Sequence, residues 1–252
     1  MKCEAKVVGR IEIPKDSRIT LDHAQVSGQD YSQRKLMQFC AIGSRLEGCR
    51  FDKMRIDHGV FGAGREMSEY IDCTFDRARI TRCVGNVRFV RCSFRDVSLD
   101  NWRCFNVEMV DCVFSGRLRV GFFNGAVDKE DREFLHRERN EFHGNDFSEM
   151  DLIDVAFRTG IDLTRQRLPT GPAYLYIPNA AATLEKTRSE VLTWPDTELR
   201  ESAMIFLKGY SDDVIRDGQQ QMFLRASDYY PYKSLSRVMI DKLFVLLREN
   251  TK

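Results

Sequence analysis

A spacing of five residues between apolar side chains constrains the fold of this sequence more than any other feature. It is clearest in "CSFRDVSLDNWRCFNVEMVDCVF" (92–114), where Phe94, Leu99, Met109 and Phe114 follow it. The spacing matches neither the period of about 3.6 residues of a helix nor the alternation of a strand. A short period held over many units is typical of a solenoid, whose repeats bury apolar surface only by stacking.

The same spacing extends over most of the N-terminal half of the chain. The central residues of successive units are Leu21, Val26, Tyr31, Leu36, Ala41, Leu46, Phe51, Ile56, Phe61, Glu66, Ile71, Phe75, Ile80, Gly85, Phe89, Phe94, Leu99, Cys104, Met109 and Phe114. Two steps of four residues, before Phe75 and before Phe89, interrupt this spacing. The residue two places before each central residue is mostly small or medium-sized and apolar.

Several units resemble the repeat of the pentapeptide-repeat family, A-(D/N)-(L/F)-X-X. The best matches are "CTFDR", "CSFRD", "VSLDN", "CVFSG", "NDFSE" and "MDLID", and the resemblance covers residues 19–125 and 145–159. It implies a right-handed quadrilateral β-helix of about four units per coil, with the central residue and the residue two places before it pointing inward. The departures at central positions are Glu66, Gly85 and Arg119, and those two places before are Arg34 and Trp102.

The resemblance also implies that residues 19 or 20 positions apart lie one above another on adjacent coils. The predicted columns are Leu36, Ile56, Phe75, Phe94, Phe114; Tyr31, Phe51, Ile71, Phe89, Met109; Leu21, Ala41, Phe61, Ile80, Leu99; and Val26, Leu46, Glu66, Gly85, Cys104. The last is the poorest, because burying an unpaired Glu66 would be costly. We therefore expect a bulge or an irregular side there.

The cysteines fit this interior. The chain has eight of them in 252 residues, but no CxxC pair and no export signal at its start. Disulfides are typical of short secreted chains, so we expect reduced thiols that pack as small apolar residues, with Cys73, Cys92 and Cys112 stacked in one column. The same observations, with no apolar run near the roughly 18 residues of a membrane span, predict a cytoplasmic protein that does not cross a membrane.

The domain organisation follows from where the repeat stops. We assign residues 1–18 to an N-terminal cap strand region and residues 19–163 to the β-helix, with a charged insertion at about 126–142 centred on Phe134 and Leu135. The repeat resumes through Phe147, Leu152 and Phe157. Residues 164–252 form a linker, with a Pro- and Gly-containing connection at about 165–180, and a C-terminal helical region.

Four amphipathic helices are predicted in that region. They cover residues 180–193, a segment capped by Asp196 that carries Leu199 to Leu207, residues 213–227 with Ile215, Met222, Phe223 and Leu224, and a segment capped by Ser234 that carries Leu235 to Leu247. We expect these helices to cap the open end of the solenoid. A separate functional domain and a dimerisation surface remain alternatives.

No motif points to catalysis or to a cofactor. The histidines His23, His58, His136 and His143 stand in no HExxH pattern and at no metal-ligand spacing from a cysteine. "GVFGAG" (59–64) lies inside the repeat, where a turn or bulge is expected, because the helix that a phosphate loop requires is missing. We therefore predict no enzyme, no metal and no cofactor. An enzyme in the helical region is the alternative without a motif.

Arginines crowd residues 77–103. The predicted coils place most of them beside acidic residues, which would give modest cross-strand pairs. The expected pairs are Asp76 with Arg95, Arg77 with Asp96, Arg88 with Glu108, and Arg91 with Asp111. The surface candidates that remain are Arg79, Arg82, Arg103, Tyr229 and Tyr230.

The function predicted from these features is a non-enzymatic module that presents a rigid solenoid surface to a protein partner. The family resemblance offers a second hypothesis, protection of a type II topoisomerase by mimicry of duplex DNA. Such mimicry needs an acidic face, but residues 19–125 carry 16 Lys/Arg against 13 Asp/Glu, a formal charge of +3. Nucleic acid is an unlikely partner because the arginines are expected to be paired, and a homodimer is possible.

Overall fold

The computed structural model describes residues 6–12, 17–232 and 235–251. The chain divides into two compact units. The first comprises Met1–Val155 and Thr164–Pro169, and the second comprises Ala156–Leu163 and Thr170–Lys252.

The first unit is a β-solenoid of about five coils. Its strands are β1 (Lys6–Glu12), β2 (Arg18–Ser27), β3 (Lys35–Ile42), β4 (Arg45–Glu47), β5 (Arg55–Ala63), β6 (Ser68–Ile71), β7 (Arg79–Ile80), β8 (Cys83–Gly85), β9 (Val87–Val90), β10 (Ser93–Cys104), β11 (Val107–Val110), β12 (Val113–Asn124), β13 (Phe142–His143) and β14 (Asp146–Arg158). Strands on adjacent coils pair in parallel, whereas β1 pairs antiparallel with β2. The expectation of stacked coils is confirmed.

Residues in the left-handed backbone conformation turn the chain between strands. Gln33, Lys53, Arg77 and Asp96 all have φ between 55° and 64°, and they precede β3, β5, β7 and the second half of β10. The Lys53 N–H donates to the Asp76 carbonyl and the Arg77 N–H donates to the Arg95 carbonyl, at 2.8 and 2.7 Å. Each corner thus bonds to the corner on the next coil, which repays the steric cost of this conformation.

A continuous stack of aromatic rings fills the interior. It comprises Tyr31, Phe51, Phe75, Phe94, Phe114 and Phe147, all no more than 2% exposed. Successive ring centroids lie 4.5 to 5.0 Å apart with interplanar angles of at most 15°. This separation matches the strand spacing of about 4.8 Å, so one ring fits on each coil.

This stack corrects the predicted columns. Tyr31 and Phe51 lie in one column with Phe75 rather than with Ile71. Leu36 and Ile56 align with Ile80, Leu99 and Leu118, so the interior residue beside Arg119 is Leu118. The column of Val26 and Leu46 continues through Tyr70, Phe89 and Met109, and Cys104 aligns with Phe123.

An outward detour at residues 62–67 causes the shift. Coil neighbours across it are 24 residues apart, as in the pairing of Leu46 with Tyr70, whereas earlier neighbours are 20 apart. Glu66 lies in the detour with its side chain 69% exposed, because a carboxylate cannot enter the apolar interior without a partner. Tyr70 rather than the half-buried Ile71 then takes the interior position. The expected irregularity at Glu66 is confirmed, but it displaces the register that follows.

Glycines allow the coil after the detour to approach closely. A Cβ on Gly62 would lie 1.9 Å from the Asn86 carbonyl oxygen, and a Cβ on Gly85 would lie 2.4 Å from the Gly62 oxygen. Gly85 also has a φ of 129°, which side chains disfavour. Glycine at the predicted central position 85 therefore serves main-chain contact rather than core filling.

The thiols are interior groups. Within the described residues seven cysteines are free, six of them buried and Cys40 half-buried, and Cys3 lies outside those residues. The buried thiols include Cys49, Cys73, Cys92 and Cys112, each two residues before a stacked phenylalanine. Burial raises the pKa of the Cys92 and Cys104 thiols well above the ordinary value, because an apolar interior disfavours thiolate.

The insertion after β12 contains helix α1 (Lys129–Leu135), and the chain returns to the solenoid at β13. Arg137 fixes this return through donated hydrogen bonds to the Asn86 Oδ1 and the Asn106 carbonyl, at 2.7 and 3.0 Å. Phe147, Leu152 and Phe157 of β14 are buried as expected.

The second unit contains β15 (Tyr174–Ile177), α2 (Ala180–Val191), α3 (Thr197–Asp217), β16 (Met222–Arg225) and α4 (Arg237–Asn250). Two short 3-10 turns cover Leu163–Arg165 and Ala226–Asp228. No helix in the described ranges is long and apolar enough to cross a membrane.

Two predictions for this unit are wrong. The expected third helix at 213–227 is instead the end of α3 and then β16, which pairs antiparallel with β15 inside the predicted connection. Gly218, with φ of 62°, ends α3, and Ile215 on that helix is 81% exposed. The hydrophobic run at 222–224 therefore forms a buried strand.

The other helix boundaries follow their caps. Asp196 caps α3 as predicted, since its Oδ1 accepts a hydrogen bond from the Leu199 N–H at 3.0 Å. Ser234, the predicted cap of α4, lies outside the described residues. The Ser236 hydroxyl takes that role, accepting from the Met239 N–H at 3.0 Å. Met239, Ile240, Leu243, Phe244 and Leu247 then form the buried face of α4.

Candidate interaction surface

One outward column of the solenoid is almost entirely basic. Strand pairing aligns Lys35 with Arg55, Arg55 with Arg79, Arg79 with Ser98, and Ser98 with Arg117. These five positions, which we call the basic column, run across β3, β5, β7, β10 and β12. Their side chains point outward because each precedes a buried residue such as Ile56 or Ile80.

The cations of the basic column lack acidic partners. Within the part of the chain that the structure describes, Lys35, Arg55, Arg79 and Arg117 are exposed and none forms an ion pair. Like charges directly opposite on neighbouring strands destabilise a sheet. Folding alone therefore gives no reason for this arrangement.

The basic column is one residue wide. The next outward positions on the same strands are Met37, Asp57, Thr81, Asp100 and Arg119, two residues further along each strand. Arg119 is neutralised there, because its Nη2 lies 2.6 Å from the Asp100 carboxylate. Acidic or uncharged side chains thus border the column on that side, while Lys53 and Arg77 border it at the corner.

A shallow depression interrupts the basic column at Ser98. It has a volume of about 310 Å³ and is lined by Ser98, Leu99, Asp100, Arg117 and Arg119. The small serine leaves this space between Arg79 and Arg117, the residues aligned with it on the adjacent coils. Cationic side chains therefore flank an open position that can accept an anionic group.

Another outward column has the opposite electrostatic arrangement. We call Arg45, Glu69, Arg88 and Glu108, which are aligned on β4, β6, β9 and β11, the matched column. The Arg45–Glu69 and Arg88–Glu108 distances are 2.5 and 2.7 Å. Glu141 adds a contact of 2.5 Å to Arg88.

Burial makes the matched column structural. The Glu108 side chain is 4% exposed and also lies 3.4 Å from Arg137, which is 14% exposed. Burial lowers the pKa of Arg137 despite the opposing effect of Glu108. Burial also lowers the pKa of Arg88, but Glu108 and Glu141 together raise it above the ordinary value. These charges are held by each other and are not available to a partner.

The predicted charge pairs are only partly correct. Arg88 pairs with Glu108 as expected. Arg91 instead makes a two-pronged contact with Asp72 on the preceding coil, with both distances 2.8 Å, and this hydrogen bonding raises the pKa of Arg91.

Main-chain and hydroxyl groups replace two of the expected ion pairs. Asp76 accepts from the Arg95 backbone N–H at 2.8 Å rather than from its guanidinium. The Asp96 N–H donates to the Ser115 hydroxyl at 2.8 Å. Within the described ranges Asp96 forms no ion pair with Arg77, so the arginines are less neutralised than the sequence predicts.

The arginine candidates have different surroundings. Arg79 belongs to the basic column, and Arg82 is exposed on the same coil. Arg103 donates from Nε to the Asn101 Oδ1 at 3.1 Å and lines a cleft of about 260 Å³ beside α1, together with Phe105 and Phe134.

The tyrosine candidates lie in the second unit and pack there. The Tyr229 ring meets Phe206 and Phe244 with centroids 5.0 and 5.7 Å away. The Tyr230 hydroxyl donates to the Asp241 Oδ1 at 2.5 Å, and this bond raises the pKa of Tyr230.

Sequence reasoning did not single out Lys35, Arg55 or Arg117. A constant offset of 19 or 20 residues separates Arg55 from Arg79, which are aligned at an offset of 24. The usable signal is Glu66, whose exclusion from the interior lengthens that coil. Among the described residues no group of three or more His, Cys, Asp or Glu side chains could hold a metal ion.

Comparisons of the chain with protein-family models and with curated proteins gave no match.

Proposed function

We propose that this chain is a pentapeptide-repeat protein that acts as a non-enzymatic interaction module and binds a protein partner through the basic column. The observation that carries this proposal is the unpaired alignment of Lys35, Arg55, Arg79 and Arg117 on one solenoid face. Such an arrangement lowers stability, as functional surfaces often do, whereas a partner that supplies carboxylates would relieve it.

The rigidity of the scaffold supports a binding role. The strands that carry the basic column are hydrogen-bonded to their neighbours on adjacent coils, above the aromatic stack. A surface fixed in this way loses little backbone entropy when a partner docks. Only the long cationic side chains need to be ordered.

The family assignment rests on the five-residue units of the sequence and on the parallel stacking of the coils. We expect an experimental structure to have a right-handed coil of four sides. A left-handed coil, or a coil of three sides, would contradict the assignment while leaving the binding proposal intact.

The binding proposal is tested by affinity capture from the native host. Wild-type protein is compared with R79E/R117E, which reverses two cations of the basic column, and with R50E/R91E, which makes the same change of net charge elsewhere. We expect a protein that the wild type and the R50E/R91E control retain and that R79E/R117E loses, followed by direct binding of the purified pair. Equal capture by all three forms would contradict the proposal.

A supercoiling assay with a type II topoisomerase addresses the DNA-mimic hypothesis. Mimicry requires an extended acidic surface, whereas the repeat region has a formal charge of +3. We therefore expect no protection of the topoisomerase from its inhibitors. Protection by wild type that R79E/R117E retains would favour the DNA-mimic function over binding through the basic column.

A further inference from the structure

We infer that the partner docks an acidic α-helix along the basic column, parallel to the solenoid axis, with one carboxylate over the depression at Ser98. This inference rests on the proposed function and specifies the chemistry of the partner. It follows from the spacing of the cations, from the width of the column, and from the groups around the depression.

The spacing fits a helix better than an extended peptide. The column runs from Lys35 to Arg117 over four coil steps, a length of about 19 Å at the usual strand spacing of about 4.8 Å. Helix positions i, i+4, i+7, i+11 and i+14 span about 21 Å. Five same-side residues of an extended chain span about 27 Å. Flexible lysine and arginine side chains can absorb about 2 Å but not about 8 Å.

The width of the column distinguishes an acidic helix from nucleic acid. A duplex requires many phosphate contacts over a broad surface, but Asp57 and Asp100 lie on the strands of the column, two residues from Arg55 and Ser98. Single strands are usually held by stacking on aromatic side chains. Between Lys35 and Arg119, the outward positions of these two columns carry no aromatic residue. A single row of carboxylates matches this narrow face.

The depression at Ser98 provides a place for the central carboxylate. Ser98 contributes a hydroxyl between aligned arginines, and the volume of about 310 Å³ exceeds that of a carboxyl group. Arg117 is free of ion pairs among the described residues, so it can turn toward an incoming anion. Arg119 remains with Asp100 and closes the depression on one side.

The inference is tested with synthetic peptides of about 20 residues. The first carries glutamate at i, i+4, i+7, i+11 and i+14 in a helix-forming background. The second has the same composition with the glutamates distributed around the helix, and the third keeps the spacing but contains prolines that prevent a helix. Binding is measured by fluorescence anisotropy at about 50 mM and about 200 mM salt.

We expect the first peptide to bind wild type at least about tenfold more tightly than either control peptide, and to weaken at the higher salt. The R79Q/R117Q variant should lose about tenfold, since each exposed ion pair changes affinity by up to about fivefold. The matched variant R50Q/R91Q, with the same loss of charge, should bind like wild type. Circular dichroism of all three proteins checks that the fold is unchanged.

Other outcomes separate this inference from the proposed function. If none of the peptides binds while the captured protein still requires Arg79 and Arg117, the helical ligand is wrong and the binding function stands. Equal binding of the helical and the proline-containing peptides would likewise overturn the helical geometry. Tighter binding of a duplex of about 20 base pairs or of single-stranded RNA, lost in R79Q/R117Q, would overturn both proposals in favour of nucleic acid.

Discussion

The matched column and the basic column are built on the same coils of the same solenoid, yet their charges are arranged in opposite ways. In the matched column Arg88 lies between Glu69 and Glu108, with one pair nearly removed from solvent. In the basic column Arg79 lies between Arg55 and Ser98. Parallel coils therefore do not dictate charge pairing. Where the fold needs charges it pairs and buries them, and the unpaired set is exposed.

Both columns depend on one interior, and chemical labelling of thiols is the most sensitive test of it. We expect Cys92 and Cys104 to react at least about a thousandfold more slowly in the native protein than in denaturant, because their raised pKa and burial leave unfolding as the route to reaction. Mass mapping should find Cys40, which is half-buried, modified first. Labelling of Cys92 as fast as of Cys40 would contradict the interior described here.

Truncating a ring of the aromatic stack should remove the support of both columns. We expect Phe94→Ala to lower the free energy of unfolding by about 3–5 kcal/mol, because Phe94 is fully buried between Phe75 and Phe114. Phe94→Leu keeps most of the volume and should cost about 1.5 kcal/mol or less. Urea denaturation measures both. Equal and small losses would mean that position 94 is not interior.

Charge reversal should have opposite effects in the two columns. We expect Arg88→Glu to cost about 3 kcal/mol, because the buried Glu108 loses a partner and gains a like charge. Arg79→Glu should instead stabilise the protein by about 0.2–1 kcal/mol, since it places a carboxylate beside Arg55. Thermal and urea unfolding of the two variants give the comparison directly. Destabilisation by both to a similar extent would show that the basic column is also structural.

The smallest expected effect is a difference in salt dependence. Repulsion within the basic column should be screened as salt rises from about 50 mM to about 500 mM, which stabilises the wild type slightly. In R55Q/R79Q this gain should be smaller by about 0.3 kcal/mol, because two adjacent like charges are gone. R50Q/R91Q is the control, since both arginines are paired and their loss should not reduce the gain. An unchanged gain in R55Q/R79Q would mean that the cations do not repel each other.

The sequence by itself determined the solenoid and most of its interior. Core packing needs an apolar side chain at fixed intervals along the chain, so residues such as Phe51, Phe94 and Phe114 could be assigned to the inside from their spacing. The helix caps are also local signals, and Asp196 was identified because a side chain caps the amides that follow it.

Only the tertiary structure decided which residues lie on the same column. Alignment between coils depends on the length of each coil, and the detour around Glu66 changes the offset from 20 residues to 24. This change places Arg55 beside Arg79 and moves Arg91 to Asp72. A carboxylate that avoids the apolar interior thus sets the charge pattern of the surface, because every residue after it is displaced relative to the coil before.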